Sequence, residues 1–258
     1  MDLGVLYCFA RSGGTLINRC LGCIPGNLVL SEVNPQSAVL PIENQARDWL
    51  SLISPDEYEE FSKQPYGLKI RILWERAQKQ NHALIIRDWP TLNFLENAYC
   101  GYFCPSGILE QEVYLARHRI PMRRVVVTRR AAAVYESMTR SFDHLRSLDV
   151  EVFGAAYLAY AKSVAGFPIF HFEEFCANPF EVFRRLGSEL GSYFAETFAS
   201  DFKDFDRCTG DNRLLSPSRA GKSEVIVRLS ENEDSPQWRA AQGEPNCREA
   251  DSILGYAN

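Results

Sequence analysis

The residues best suited to chemistry lie close to the amino terminus, in the segment Cys8–Leu16, whose sequence is CFARSGGTL. The apolar stretch Leu3–Phe9 leads into this segment and predicts a buried strand. From Thr15 to Leu21 the apolar residues recur at helical spacing and predict a helix. A glycine-containing loop between a strand and a helix favours an anion, because its N–H groups and the positive helix end point at the same place.

The side chains of the loop fit the same chemistry. Gly13 and Gly14 allow a tight turn and a close approach of the backbone to an anion. Ser12 and Thr15 add hydroxyl donors. Arg11 adds a fixed positive charge with a planar fork of donors that matches phosphate or sulfonate oxygens. An ordinary strand-to-helix turn is the alternative interpretation of these residues.

A nucleotide kinase or ATPase loop would require the pattern G-x-x-x-x-G-K-[ST]. In the amino-terminal loop the cation stands before the glycines instead. The one Gly-Lys-Ser, at Gly221–Ser223, has neither a glycine five residues before it nor an apolar strand in front of it. The sequence therefore argues against a Walker-type NTPase.

The composition is that of an ordinary globular protein and limits the classes of partner. Of the 258 residues, 46% are hydrophobic and 24% are charged, which supports one substantial core. The formal charge of −5 argues against a general nucleic-acid binder. No apolar run approaches the ~20 residues that cross a bilayer. The amino terminus lacks the features of a secretory signal, so we expect a cytoplasmic protein without a membrane partner.

Eight cysteines raise the question of a metal site. The pair Cys20 and Cys23 and the pair Cys100 and Cys104 are closely spaced, but the four histidines form no ligand-spaced pair. We interpret the cysteines as free, mostly buried thiols and expect no metal.

Strand and helix patterns alternate along the rest of the chain. Short apolar runs predict buried strands, and amphipathic patterns predict helices. The predicted strands are at 28–30, 83–86, 125–128 and 168–172, and the helices at 42–52, 68–80, 131–142, 149–164 and 179–190. This alternation predicts an α/β fold in three layers, with a mostly parallel central sheet and helices on both faces. We expect one such domain over residues 1–230 and a polar, loosely ordered tail over residues 231–258.

Polar residues stand where three of the predicted strands end, which is where open α/β sheets place their binding groups. Glu32 follows the strand at 28–30, Asp88 follows the strand at 83–86, and Arg129 follows the strand at 125–128. Together with the loop they are the candidate functional residues.

Several stretches together resemble the sulfotransferases that use 3′-phosphoadenosine 5′-phosphosulfate (PAPS), and the resemblance implies their P-loop-like architecture. The family's 5′-phosphosulfate loop has the pattern Lys/Arg-Ser-Gly-Thr-Thr after the first strand. The matching residues, and hence the implied contacts to PAPS, are Arg11, Ser12, Gly13, Gly14, Thr15 and Leu16. Gly14 departs from the pattern, because the family usually has a hydroxyl residue there.

Three further segments extend the resemblance. Arg129 and, eight residues later, Ser137 resemble the element that binds the 3′-phosphate, and this spacing is close to two helical turns. The segment 171–175 resembles a structural segment of the family, so its acidic residues are not catalytic candidates. The loop 211–222 resembles in placement the segment that closes over the nucleotide, which implies contacts from Arg219 and Lys222. The Gly-x-x-Gly-x-x-Lys pattern of the small-molecule enzymes is absent from this loop.

The resemblance implies a sulfotransferase that moves a sulfuryl group from PAPS to a hydroxyl or amine of a small-molecule or peptide acceptor. The co-product would be 3′-phosphoadenosine 5′-phosphate (PAP). By analogy with phosphoryl transfer, Arg11 and the loop N–H groups would stabilise the charge on the leaving phosphate, which makes Arg11 a catalytic candidate. Two alternatives stay open: a P-loop nucleotide kinase-like enzyme, and a catalytically idle sulfotransferase-like binding protein.

An acceptor hydroxyl also needs a base, and two carboxylates are candidates. Glu32 resembles the glutamate that takes this proton in the tyrosine-sulfating branch of the family. Asp88, in the segment Arg87–Pro90, occupies the place where the soluble aryl and steroid enzymes carry a histidine. We favour Glu32 and keep Asp88 as its rival.

Overall fold

In the computed structural model the chain forms a five-stranded parallel sheet with the strand order β2-β5-β1-β6-β7. The structure describes residues 1–98, 104–210, 225–227 and 231–256. The strands are β1 (Leu3–Tyr7), β2 (Asn27–Ser31), β3 (Val33–Asn34), β4 (Ser37–Ala38), β5 (Ala83–Asp88), β6 (Met122–Thr128) and β7 (Ile169–His171). Strands β3 and β4 pair only with each other, as a short antiparallel hairpin.

Helices connect the strands and cover both faces of the sheet. Those before β6 are α1 (Gly14–Gly22), α2 (Ile42–Asn44), α3 (Tyr58–Ser62), α4 (Tyr66–Lys79), α5 (Thr91–Phe94) and α6 (Glu110–Arg117). Those after β6 are α7 (Ala131–Ser141), α8 (Val150–Val164), α9 (Phe172–Ala177), α10 (Pro179–Leu190), α11 (Phe198–Asp201), α12 (Pro236–Gly243) and α13 (Pro245–Ile253). The α/β class and the mostly parallel sheet that the sequence predicts are confirmed.

Strand β1 is the central strand, and its residues point alternately to two hydrophobic clusters. Leu3, Val5 and Tyr7 belong to the cluster that also holds residues of α4, α7 and α8. Leu6 and Cys8 belong to the other cluster, with residues of α1 and α10. Because β1 pairs with β5 on one side and with β6 on the other, the strand order reverses beside β1. The carboxyl end of β1 is therefore the topological switch point where such sheets bind ligands.

The expectation of a loosely ordered tail over residues 231–258 is wrong. Within it, α12 and α13 pack against α7 and α8 and contribute to the larger hydrophobic cluster. Trp238 is 5% exposed and Cys247 is 1% exposed. Both helices have proline as their first residue and a capping side chain just before it. Ser235 Oγ accepts a hydrogen bond from Trp238 N, and the Glu244 carboxylate accepts one from Cys247 N.

Two other elements differ from the sequence patterns. The segment 42–52, predicted as one helix, consists of the short α2 and a π-helical turn at Gln45–Trp49. The predicted strand at 168–172 ends at His171, and Phe172 already begins α9. This early end places the Phe172 ring beside the amino-terminal loop.

The cysteines in the described part of the chain are all free thiols, and Cys8, Cys20 and Cys247 are buried. Among the described residues, no three His, Cys, Asp or Glu side chains are grouped to hold a metal ion. No helix in these same ranges has the length and apolar character to cross a bilayer.

Candidate functional site: an anion-binding loop at the sheet edge

The loop after β1 is a tight turn that leads directly into α1. Ser12 N donates to Phe9 O (3.1 Å), and Arg11 and Gly13 adopt left-handed backbone angles, with φ of 69° and 88°. Ile17 N donates to Gly13 O (3.2 Å), which starts the helix. The side chain of Thr91 accepts from Ala10 N (2.7 Å) and fixes the loop to α5. The loop is thus held in shape by its own backbone and by a neighbouring element.

The donors of this loop point to an anion. The N–H groups of Gly14, Thr15 and Leu16 open α1, and no described residue accepts a hydrogen bond from them. Ser12 is 1% exposed, and its hydroxyl also has no partner among the described residues. Buried polar groups are rarely left unpaired, so these atoms fit the oxygens of a bound phosphate or sulfonate group.

Both glycines of the loop are required by their surroundings. A Cβ atom at Gly13 would lie 2.1 Å from the ring of Phe172, and its backbone angle disfavours any side chain. A Cβ atom at Gly14 would lie 2.9 Å from Cys8 Cβ and 3.0 Å from Arg87 Nε. The departure at Gly14 therefore has a steric reason, since the guanidinium of Arg87 fills the adjoining space.

Arg11 lies against α7. Its Nε donates to Ser137 Oγ (2.9 Å), and its guanidinium lies 5.9 Å from the centre of the Phe142 ring. The structure thus brings together the loop cation and the serine that the sequence pairs with Arg129. The bond links the loop to the middle of α7.

Arg129 is paired with a residue that the sequence did not single out. Its Nη2 donates to Glu231 Oε1 at 3.0 Å, and the two side chains are 5% and 3% exposed. Ser137 does not share this pair, because its hydroxyl is bound by Arg11. The expected convergence of Arg129 and Ser137 on one phosphate stays a prediction, and it requires Arg129 to exchange Glu231 for the ligand.

Asp251, on α13, contacts the first residue of α7. Asp251 Oδ1 accepts from Ala131 N (2.8 Å) and so caps the amino end of α7. Burial raises the pKa of Asp251 to about 6. The guanidinium of Arg130 lies 5.2 Å from the centre of the Tyr256 ring. Asp251 and Tyr256 thus contact the residues that follow β6.

Glu32 is connected to the loop through Arg87. Arg87 Nη2 donates to Glu32 Oε1 (2.6 Å) and to Thr15 Oγ1 (3.2 Å). The Glu32 side chain is 17% exposed. Its backbone is in the left-handed region, with φ of 50°, which costs a non-glycine residue about 1–3 kcal/mol. The surrounding structure therefore holds this carboxylate beside the loop against a local strain.

Asp88 lies on the other face of the sheet. Successive residues of a strand point to opposite faces, so Arg87 points towards α1 while Asp88 points towards the cluster that holds Tyr7. Asp88 is 1% exposed, and its Oδ1 accepts from Asn34 Nδ2 (3.1 Å). Burial raises the pKa of Asp88 to about 8, although the hydrogen bond from Asn34 opposes the shift. At neutral pH this carboxyl group therefore holds a proton.

The segment after β7 makes structural contacts, as the resemblance implies. His171 Nε2 lies 2.8 Å from Leu254 O, and Glu173 accepts from Tyr256 OH (2.9 Å). Arg219 and Lys222 lie outside the described residues, so their predicted contacts stay predictions. Arg87 is the residue that sequence reasoning missed, because a charged residue at a strand end gives no sign of the face to which it points.

These features define an α/β protein with a candidate anion site in the loop at the switch point of a parallel sheet. No protein-family model and no curated protein sequence matches the chain. The sulfotransferase domain of the Synechococcus PCC 7002 olefin synthase is similar in structure, with 16% identity and a TM-score of 0.60 over 100% of this chain and 96% of that one. The sulfotransferase domain from the curacin biosynthetic pathway is similar too, with 13% identity and a TM-score of 0.60 over 100% and 99%. The chain has the fold of these sulfotransferase domains.

Proposed function

We propose that this protein is a sulfotransferase that moves a sulfuryl group from PAPS to a hydroxyl or amine of an acceptor. The observation that carries the proposal is the loop Arg11–Leu16 at the switch point of a sulfotransferase fold, with donors that no described residue uses. PAPS supplies an activated sulfuryl group whose leaving group is a phosphate. The residues of the chain must bind that phosphate, stabilise its charge and remove a proton from the acceptor.

The loop performs the first two tasks. The N–H groups of Gly14 to Leu16 and the hydroxyl of Ser12 bind the 5′-phosphate oxygens. Arg11 stabilises the negative charge that develops on the bridging oxygen as its bond to sulfur breaks. A preorganised donor of this kind contributes about 3 kcal/mol to the transition state. The hydrogen bond from Arg11 Nε to Ser137 Oγ (2.9 Å) holds this positive charge against α7, next to the loop.

Glu32 performs the third task. It accepts the proton of the acceptor hydroxyl while the acceptor oxygen forms its bond to sulfur and the nucleotide phosphate leaves with the electron pair of the broken bond. Two observations favour Glu32 over Asp88. Glu32 is linked to the loop through Arg87, whereas Asp88 is buried on the far face and keeps its proton at neutral pH.

Arg129 performs a fourth task, which is recognition of the 3′-phosphate. Its guanidinium is paired with Glu231, so nucleotide binding replaces a carboxylate by a phosphate at the same donors. The carboxylate partner shows that these donors suit an anion. The exchange also makes the affinity for the nucleotide depend on the strength of the pair that it breaks.

One observation argues against the alternative of a nucleotide kinase-like enzyme. In nucleotide kinases the loop serine or threonine binds magnesium through its hydroxyl oxygen. Here the hydroxyl oxygen of Thr15 accepts a hydrogen bond from Arg87, and a cationic donor at this position repels a metal ion. A catalytically idle binding protein is the other alternative, and it becomes the conclusion if PAP binds and no acceptor is ever sulfated.

A thermal-shift screen with PAPS, PAP, ATP and GTP, each with and without magnesium, tests the proposal. We expect PAPS and PAP to stabilise the protein without magnesium and ATP and GTP to stabilise it less. Calorimetry should then show that Arg11→Ala and Arg129→Ala each weaken PAP binding, whereas the exposed-helix control Arg71→Ala does not. Stabilisation by ATP only with magnesium, or unchanged PAP affinity in both variants, would contradict the proposal.

A further inference from the structure

Arg87 lies at the junction of four chain segments around the loop. Its guanidinium donates to Thr15 Oγ1 (3.2 Å), Glu32 Oε1 (2.6 Å), Ser31 Oγ (3.4 Å) and Thr209 O (3.3 Å). Its side chain is only 6% exposed. A guanidinium is expensive to bury and is normally retained where its charge and its fork of donors are both used. The described contacts use both, with one carboxylate and three neutral acceptors.

The hydrogen bond from Arg87 fixes the direction of the Thr15 hydroxyl. A hydroxyl has one proton to donate and accepts through its oxygen. Because Thr15 Oγ1 accepts from Arg87, its own proton points away from the guanidinium. Thr15 is the second residue of α1, where the helix N–H groups form the candidate anion site. The proton of its hydroxyl is therefore available to a group other than Arg87.

Arg87 also explains why the loop tolerates Gly14. A residue with a hydroxyl at position 14 would add a donor, but its Cβ atom would come within 3.0 Å of Arg87 Nε. The space that such a side chain would use is occupied by the guanidinium.

We propose that Arg87 is a positioning residue that orients the Thr15 hydroxyl towards the bound anion and holds the Glu32 carboxylate beside the loop. This inference rests on the proposed function, because it assigns Glu32 and the loop to one reaction. Arg87 itself does not touch the ligand. Its effect on binding passes through Thr15, and its effect on proton transfer passes through Glu32.

A double-mutant cycle with PAP as the probe tests the route through Thr15. We expect Arg87→Gln and Thr15→Val each to weaken PAP binding about 10- to 100-fold in calorimetry, the range for a hydrogen bond to a charged group. The double variant should bind no more weakly than the weaker-binding single variant, since Thr15→Val removes the donor that Arg87 orients. Arg87→Lys, which keeps the charge, should recover part of the affinity.

The control is Arg19→Gln. Arg19 is also a buried arginine, on α1, and its guanidinium donates to the backbone carbonyls of Lys203 and Phe205. This variant should lower the melting temperature and leave PAP affinity within about 2-fold, so loss of a buried arginine alone cannot explain the result. If Arg87→Gln does not fold, Thr15→Val and Arg87→Lys still decide the matter.

The outcomes separate the two proposals. Additive effects of Arg87→Gln and Thr15→Val, or Thr15→Val with unchanged PAP affinity, would overturn the role of Arg87 and leave the sulfotransferase proposal intact. A wild-type protein that binds PAP poorly but pyrophosphate tightly, with the same non-additive pattern, would support Arg87 and count against PAPS. A wild-type protein that binds neither anion would overturn both proposals.

Discussion

On the proposed function, Glu231 competes with the 3′-phosphate of the nucleotide for the guanidinium of Arg129. We expect Glu231→Gln to tighten PAP binding, because the 3′-phosphate then no longer competes with a carboxylate for Arg129. Two opposite charges about 4 Å apart attract by about 4 kcal/mol at an effective dielectric constant of 20. The freed Glu231 recovers part of this in water when PAP displaces it from the wild-type protein. A net gain of about 1.4–2.7 kcal/mol, or 10- to 100-fold in Kd, remains for the variant.

The same substitution has an opposite effect on the free protein. Glu231→Gln leaves Arg129 buried without its carboxylate, and removing one partner of a buried pair costs about 3–5 kcal/mol. The variant should therefore melt at a lower temperature alone and regain most of the loss when PAP is added. Calorimetry measures the affinity, and thermal unfolding with and without PAP measures the stability.

The matched control is Glu233→Gln, an exposed acid two residues further along the same segment. It removes the same charge from the same region but not from Arg129, so PAP affinity should stay within about 2-fold. Glu231→Gln with unchanged or weaker PAP binding would refute the reasoning, since the carboxylate would then not compete with the phosphate. An equal gain in the control would attribute the effect to net charge instead.

Three further predictions concern stability. Asp88→Asn should flatten the pH dependence of the free energy of unfolding. The folded pKa of Asp88 is raised from 3.8 to about 8, so the wild type should lose about 1.4 kcal/mol of stability per pH unit as the pH rises between those values. Urea unfolding at pH 5 and pH 8 measures this loss, and the same pH dependence in the wild type and the variant would contradict the prediction. Gly14→Thr should lower the free energy of unfolding by about 1–3 kcal/mol, measured by urea unfolding. The control Gly166→Thr should not lower it, because a Cβ atom at Gly166 meets no atom within 4 Å. Equal losses in the two variants would contradict the packing around Gly14. Trp238→Ala should lower the free energy of unfolding by about 3–5 kcal/mol, whereas the exposed control Gln237→Ala should change it little. If Trp238→Ala leaves the free energy of unfolding unchanged, the carboxyl-terminal helices add no stability.

The strands and the loop could be predicted because their signals are local. Each sheet strand carries a short apolar run, and the runs of β1, β2, β5 and β6 were located within a few residues of their true ends. The loop was recognised from its glycines, its hydroxyls and Arg11. Such signals depend on residues that are neighbours in the chain, so tertiary packing does not change them.

The partners of the site residues could not be predicted because they come from distant parts of the chain. Glu231 meets Arg129 across 102 positions, and Arg87 meets Thr15 across 72. The helical structure of the carboxyl-terminal residues does have a local signal. Ser235-Pro236 and Glu244-Pro245 are a capping residue followed by proline, the usual start of a helix. The composition of this segment is mostly polar, so it does not indicate the few large residues that are buried and hold both helices in place.

The central claim is that one nucleotide is bound between the loop after β1 and Arg129. A crystal structure of the complex with PAP tests it most directly. The account predicts the 5′-phosphate on the N–H groups that open α1, the 3′-phosphate on Arg129, and Glu231 displaced from that guanidinium. Phosphates bound elsewhere, or Arg129 still paired with Glu231 while PAP is bound, would contradict it.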